Sequence, residues 1–253
     1  GSVMALSMVI VGIAAVKWQL HPILAMLLGL LTGAGLGFIN GFLLTRLRLP
    51  HPFISTLGMQ NIARGLALII TASTPISGFP PLIRYLGAES IGIIPVAVLF
   101  VFVVYAVVHV FLNHTILGRH IYAVGGNREA ARLSGVRVDS VLVWVYTLSG
   151  LMTAIAGIVL IGRVNSAFPL AGLGYDLDSI AAVIIGGASF FGGEGTVWGT
   201  LIGALIMAVL RNGLNLLNVS PDWQTVAIGA VIILAVYVDV LRRQRLGRPQ
   251  KAS

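Results

Sequence analysis

The segment 91–113 runs for 23 residues without one Asp, Glu, Lys or Arg. As a helix rising about 1.5 Å per residue, a run of that length crosses the ~30 Å hydrocarbon layer of a bilayer. In lipid each backbone N–H and C=O needs a partner within the protein, so such a run folds as a helix and its lipid-facing neighbours must do the same. The rest of the chain is of the same kind. Hydrophobic residues make up 57% and charged residues 9%, and the mean hydropathy is +0.98. No soluble core absorbs that much apolar surface, so the chain reads as an all-α, polytopic transmembrane helix bundle.

Apolar runs place candidate spans at 3–16, 23–44, 53–72, 91–113, 141–161, 197–217 and 224–241, the first of them short. The Lys and Arg residues orient them. Eleven of the sixteen lie in three places: Arg46 and Arg48 after the second span, Arg119, Arg128, Arg132 and Arg137 between the fourth and fifth, and Arg242, Arg243, Arg245, Arg248 and Lys251 in the tail. The positive-inside rule puts all three on the cytoplasmic side, with Lys17, Arg84 and Arg163 opposite and Arg64 and Arg211 within spans. Seven crossings leave the tail on the wrong side. An eighth is required, and the only remaining apolar run is 180–191. At about a dozen residues it is too short for an ordinary span, so a short or broken helix near 178–191 is expected, with its Gly-rich end buried in protein. The net charge of +8 is thus a matter of orientation, and a nucleic-acid partner is not implied.

Glycines mark the packing faces. Gly29, Gly33, Gly37 and Gly41 recur every fourth residue in the second span, and Gly195, Gly199 and Gly203 do so around the start of the span 197–217. Both sets let a neighbouring backbone approach closely.

The longest polar stretch, 118–137, carries four of the Arg residues. A plain inside linker needs fewer than about ten residues, whereas the loop 114–139 is far longer. Within it Asn127 suits an N-cap, Glu129 the first turn, and Gly135 a left-handed stop. A short cytoplasmic helix over 128–134 is therefore expected. Polar residues inside spans are the other candidates, since at that depth they face protein or a water-filled cavity. Gln60, Asn61 and Arg64 cluster in the third span, and Arg211, Asn212 and Asn215 in the span 197–217; interhelical hydrogen bonding and lining of a path both fit them. Asp176 and Asp178 suit the N-terminus of the short helix as caps. The five histidines at 21, 51, 109, 114 and 120 lack ligand spacing, and without cysteine there is no thiolate site.

The stretch Gly125-Gly126-Asn127-Arg128-Glu129-Ala130-Ala131-Arg132-Leu133-Ser134-Gly135-Val136 resembles the cytoplasmic loop of permease subunits of bacterial ATP-binding-cassette (ABC) importers for monosaccharides, the ribose-type family. A second signature runs from Gly174-Tyr175-Asp176-Leu177-Asp178 through Gly186-Gly187-Ala188-Ser189 and Gly192-Gly193-Glu194-Gly195-Thr196, and ends at Asn212-Gly213-Leu214-Asn215. The resemblance covers essentially the whole chain as one transmembrane permease domain, 1–253, with a coupling loop at 114–139 and a cytoplasmic basic tail at 242–253. It implies ten helices in the family, two of them expected ahead of Gly1. Glu194 departs from the pattern, standing where related permeases often carry a basic or neutral residue.

The resemblance further implies a bacterial inner-membrane location with the C-terminus in the cytoplasm. It implies three partners: a second permease subunit, identical or related, cytoplasmic ABC ATPase subunits that bind ATP and Mg, and a periplasmic sugar-binding protein. Gly126, Asn127, Arg128, Glu129, Ala130, Ala131, Arg132, Leu133, Ser134 and Gly135 would form the coupling helix and its caps, with Ala130, Ala131 and Leu133 as a small apolar contact. Neither lysine, Lys17 nor Lys251, lies in a Gly-x-x-x-x-Gly-Lys-Ser/Thr loop, so hydrolysis belongs to the ATPase and this chain holds no cofactor or metal. Gln60, Asn61, Arg64, Ser189, Asn212 and Asn215 are candidates for the sugar path. Arg84, Glu89 and Arg163 are candidates for ion pairs with the binding protein, or else solvated charges. A branched-chain amino-acid permease of the same superfamily is the alternative. A proton-coupled transporter would want an acid deep in a span, and an enzyme a convergent catalytic set.

Overall fold

The computed structural model describes residues 1–47, 49 and 51–245, with side chains through Leu241. Arg48 and the side chains of the basic tail from Arg242 on, assigned above to the cytoplasmic face, lie outside this description. Among the described residues six helices are long and apolar enough to cross a membrane. They are α2 (Pro22–Arg46), α3 (Pro52–Thr71), α5 (Val96–His114), α8 (Val138–Val164), α10 (Val197–Leu216) and α11 (Pro221–Arg245). The shorter α1 (Ser2–Gly12) continues through a wider turn at Ile13–Lys17. The chain is a multi-pass, all-α membrane protein.

Proline and histidine start two of the long helices in the same way. Pro22 and Pro52 occupy first helical positions, and the ring nitrogens of His21 and His51 accept from the Ile23 and Phe53 amides at 3.4 and 3.2 Å. The fourth span begins five residues later than expected. Residues Ser90–Ile91 and Ile94–Pro95 form a tight antiparallel pair around Gly92, whose φ is +65°, and the helix starts only at Val96. Two short helices fall where the sequence suggested loops, α4 (Pro81–Ala88) and α6 (Ile116–Gly126).

The short helix is present but displaced. α9 spans Tyr175–Ile185, so Phe190 and Phe191 of the apolar run are not helical. The reason is a Schellman stop. Gly187 sits at φ +88°, its N–H donates to Ile184 O at 2.9 Å, and Ala188 N–H donates to Val183 O at 3.1 Å. Residues 186–196 then form a glycine-rich loop.

Contacts group the chain into two compact units, Gly1–Val104 with Arg137–Leu173, and Tyr105–Val136 with the residues from Gly174 on. In the first unit α1 is the central helix, with Met8, Val9 and Val11 fully buried and Ile83, Ile158 and Ile161 around it. The α2 glycines lie against α8: a methyl group added at Gly33 would meet Ala154 Cβ at 2.7 Å, and one at Gly41 would meet Val143 Cα at 2.8 Å. A two-residue antiparallel pair, Ile76 with Ala167 and Ser77 with Ser166, ties the segment before α4 to the segment after α8. In the second unit α9, α10 and α11 enclose Ala181, Ala182, Met207 and Ile228. Gly199 and Gly203 of α10 press on Gly186 and Ala182, as the i+4 spacing predicted.

Candidate functional site

The polar stretch folds as two helices. α6 is capped by Thr115, whose hydroxyl accepts from Gly118 N–H at 3.1 Å. Its last residue, Gly126, leads directly into Asn127, which caps the six-residue α7 (Arg128–Leu133). Asn127 Oδ1 accepts from both Glu129 and Ala130 N–H at 3.1 Å, and Glu129 stands in the first turn. At the other end Gly135, φ +83°, donates to Arg132 O, and Val136 donates to Ala131 O, each at 3.0 Å. That is the same Schellman stop used by α9. Ser134 donates its hydroxyl to Ala130 O at 2.9 Å. The expected helix is therefore present, one residue shorter.

Its surface differs from the expected apolar contact in one respect. Ala131 is buried, at 6% exposure, whereas Leu133 is 81% exposed and Ala130 is also exposed. Arg128, Glu129 and Arg132 are exposed as well. α7 thus presents one exposed leucine beside exposed charges.

In the same unit the polar candidates find protein partners. Asp178 does not cap α9, where Gly174 takes the N-cap position without a side-chain bond. Instead Arg211 Nη2 of α10 pairs with Asp178, 2.6 Å from Oδ2 and 2.8 Å from Oδ1. Both groups are partly shielded, and the short helix offered each a partner that its own sequence neighbours do not. Asn215 Oδ1 accepts from Gln224 Nε2 of α11 at 2.8 Å, and the same amine donates to Val219 O at 2.9 Å. Asn215 thus bonds between helices, and both Asn212 and Asn215 are exposed. Ser189 Oγ donates to Asp239 Oδ2 at 3.2 Å.

In the first unit Arg64 reaches from α3 to the segment after α8, donating to Pro169 O at 2.6 Å and Ala171 O at 3.0 Å. That segment also runs along α1, since Gly172 lies against Gly1 and Met4. Arg64 thus satisfies two carbonyls of this irregular backbone. Asn61 Nδ2 donates to Leu57 O at 3.1 Å, and Gln60 is exposed. Arg84 and Glu89 lie on and just after α4, and Arg163 near the end of α8. All three are exposed, and α4 packs on that end of α8, Gly87 lying against Gly162 and Arg163.

A family model described as "Branched-chain amino acid transport system / permease component" matches residues 1–236. The ribose import permease protein of Escherichia coli K12 is 41% identical over 94% of this chain and 75% of its own length. That of Bacillus subtilis 168 is 44% identical over 94% and 74%. The fructose import permease protein of Rhizobium meliloti is 41% identical over 94% and 68%. No solved structure matches the chain significantly. With a family model that spans both units and relatives this similar along nearly the whole chain, the protein belongs to the transport-system permease component family.

Proposed function

We propose that this chain is the membrane permease subunit of a bacterial ABC importer for a monosaccharide, working as a pair of permease subunits in the inner membrane. Cytoplasmic ATPases holding ATP and Mg drive it, and a periplasmic binding protein delivers the sugar. The observation that carries the reading is α7, a helix of six residues capped at both ends with an exposed leucine and charged rim. So short a helix is not stable by itself in water, and its double capping marks a surface held in one shape for a partner. The ribose and fructose import permease relatives favour a sugar as cargo. Gln60, Asn61, Asn212 and Asn215 are the path candidates that are exposed, fit to meet sugar hydroxyls weakly. Arg84, Glu89 and Arg163 form the charged end that meets the binding protein.

Reconstitution with ATPase and binding protein tests this. Glu129→Arg reverses the charge at the α7 N-terminus, and Gly135→Pro can neither adopt φ +83° nor donate to Arg132 O. Each is expected to lower sugar uptake per ATP hydrolysed by about tenfold or more. Normal sugar-stimulated hydrolysis and uptake in both variants would refute the coupling role. The description of the matching family favours a second cargo, branched-chain amino acids. Uptake of labelled leucine in place of labelled pentose or hexose would decide for it.

A further inference from the structure

The glycine-rich loop 186–196 is clasped from two sides within the second unit. On one side are the last residues of α6. A methyl group added at Gly125 would lie 2.6 Å from Gly193 N, and one at Gly193 would lie 2.6 Å from Gly126 Cα. The two backbones touch with no side chain between them. Gly192 and Gly193 hold φ values of +89° and +78°, which residues with a Cβ rarely adopt. Tyr122, one turn earlier on α6, donates its hydroxyl to Gly195 O at 3.0 Å. On the other side is α11, where Asp239 Oδ2 accepts from both Ser189 Oγ and Phe190 N–H at 3.2 Å.

The loop is also stiff within itself. Ser189 N–H donates to Glu194 O, and Gly192 N–H donates to Ser189 O, both at 3.0 Å. Its two ends are the C-terminus of α9 and the N-terminus of α10, where Thr196 Oγ1 accepts from Gly199 N–H at 3.0 Å. Gly186 and Gly199 bring those two helices into backbone contact at the same level. The residue that follows Gly126 is Asn127, the cap of α7.

We propose that this loop is the transmission element of the transporter, with Tyr122 and Asp239 as positioning residues that make α6, the loop, α9, α10 and α11 move together when α7 is displaced. Close backbone contact resists compression, and the hydrogen bonds from Tyr122 and to Asp239 resist separation, so a push or a pull at Asn127 reaches α9 and α10 without slack. The inference rests on α7 being the coupling helix, and adds what lies behind it.

The test is a set of variants in the reconstituted transporter with its ATPase and binding protein. Tyr122→Phe and Asp239→Ala, combined, remove the donor to Gly195 O and the acceptor for Ser189 and Phe190, and touch nothing on α7. Asp239→Asn keeps one acceptor oxygen. The expected result is normal co-purification with the ATPase and normal basal hydrolysis, with uptake per ATP lowered about tenfold in the double variant and largely recovered when Asn replaces Ala at 239. A wild-type ratio of uptake to hydrolysis in the double variant would overturn the proposal. So would loss of assembly in both single variants, which would make these side chains fold supports only. Glu129→Arg is run alongside. If it leaves coupling intact while the double variant lowers it, the coupling-helix reading fails, and the loop acts on transport by another route.

Discussion

Glycine spacing has two opposite meanings on α2, and the side that each residue faces decides which one applies. Gly41 meets the α8 backbone at Val143, whereas Gly35 has nothing within 4 Å of where a Cβ would be. Gly41→Leu forces the helices apart and is expected to cost about 2–3 kcal/mol, as overpacking does. Gly35→Ala relieves a conformational cost without a clash and is expected to be neutral or stabilising by up to about 1 kcal/mol. Thermal unfolding midpoints in detergent, with Gly35→Ala as the internal control, would check both. Equal effects at the two positions would show that α2 and α8 do not pack this way. The i+4 spacing that identifies Gly41 was readable in the sequence because it is a local pattern. The partners of the polar residues were not readable. Arg211 and Asp178 are 33 residues apart, and Arg64 lies more than 100 residues before the carbonyls it holds. Their type announced a buried role, and only the fold says with whom.

Among elements, long apolar runs were legible and short amphipathic ones were not. α4 buries one side chain fully, Ile83, in the core it shares with α8. α6 carries glycines that look like loop residues, yet Gly118 is needed because the Phe111 and Leu112 carbonyls leave no room for a Cβ. Both helices exist through tertiary contact, which overrides weak propensity. The expected end of α9 was wrong for a related reason. Hydropathy marked 180–191 as one run, but Gly187 stops the helix before Phe190. α7 is the opposite case, since its caps lie in its own sequence and its bounds followed from them. Asn127→Ala removes both cap bonds to Glu129 and Ala130, and is expected to loosen α7 by about 1 kcal/mol. Amide hydrogen exchange across 128–133 should then speed up several-fold, while α8 keeps its protection. Unchanged exchange in α7 would show that tertiary contact through buried Ala131, rather than the cap, holds it.

For the whole molecule the decisive quantity is which end of each helix faces the cytoplasm, because the proposed coupling on one side and the proposed sugar delivery on the other both depend on it. α8 is the cleanest ruler. Its 27 residues span about 40 Å as a helix, enough to cross a bilayer with its headgroups. Arg137 precedes it, on the face assigned to the cytoplasm by the Arg-rich stretch, and Arg163 lies near its far end beside α4. The chain contains no cysteine, so a single introduced thiol reports its own side. Ser140→Cys at the start of α8 and Ser90→Cys after α4 are small changes at exposed positions. In sealed right-side-out vesicles a membrane-impermeant maleimide should label position 90 and spare position 140, and inverted vesicles should give the reverse. Labelling of both positions only in right-side-out vesicles would mean that α8 does not cross, and would remove α7 from the reach of any cytoplasmic ATPase. The reversed pattern would leave the bundle intact and turn it over, placing α7 where the binding protein docks.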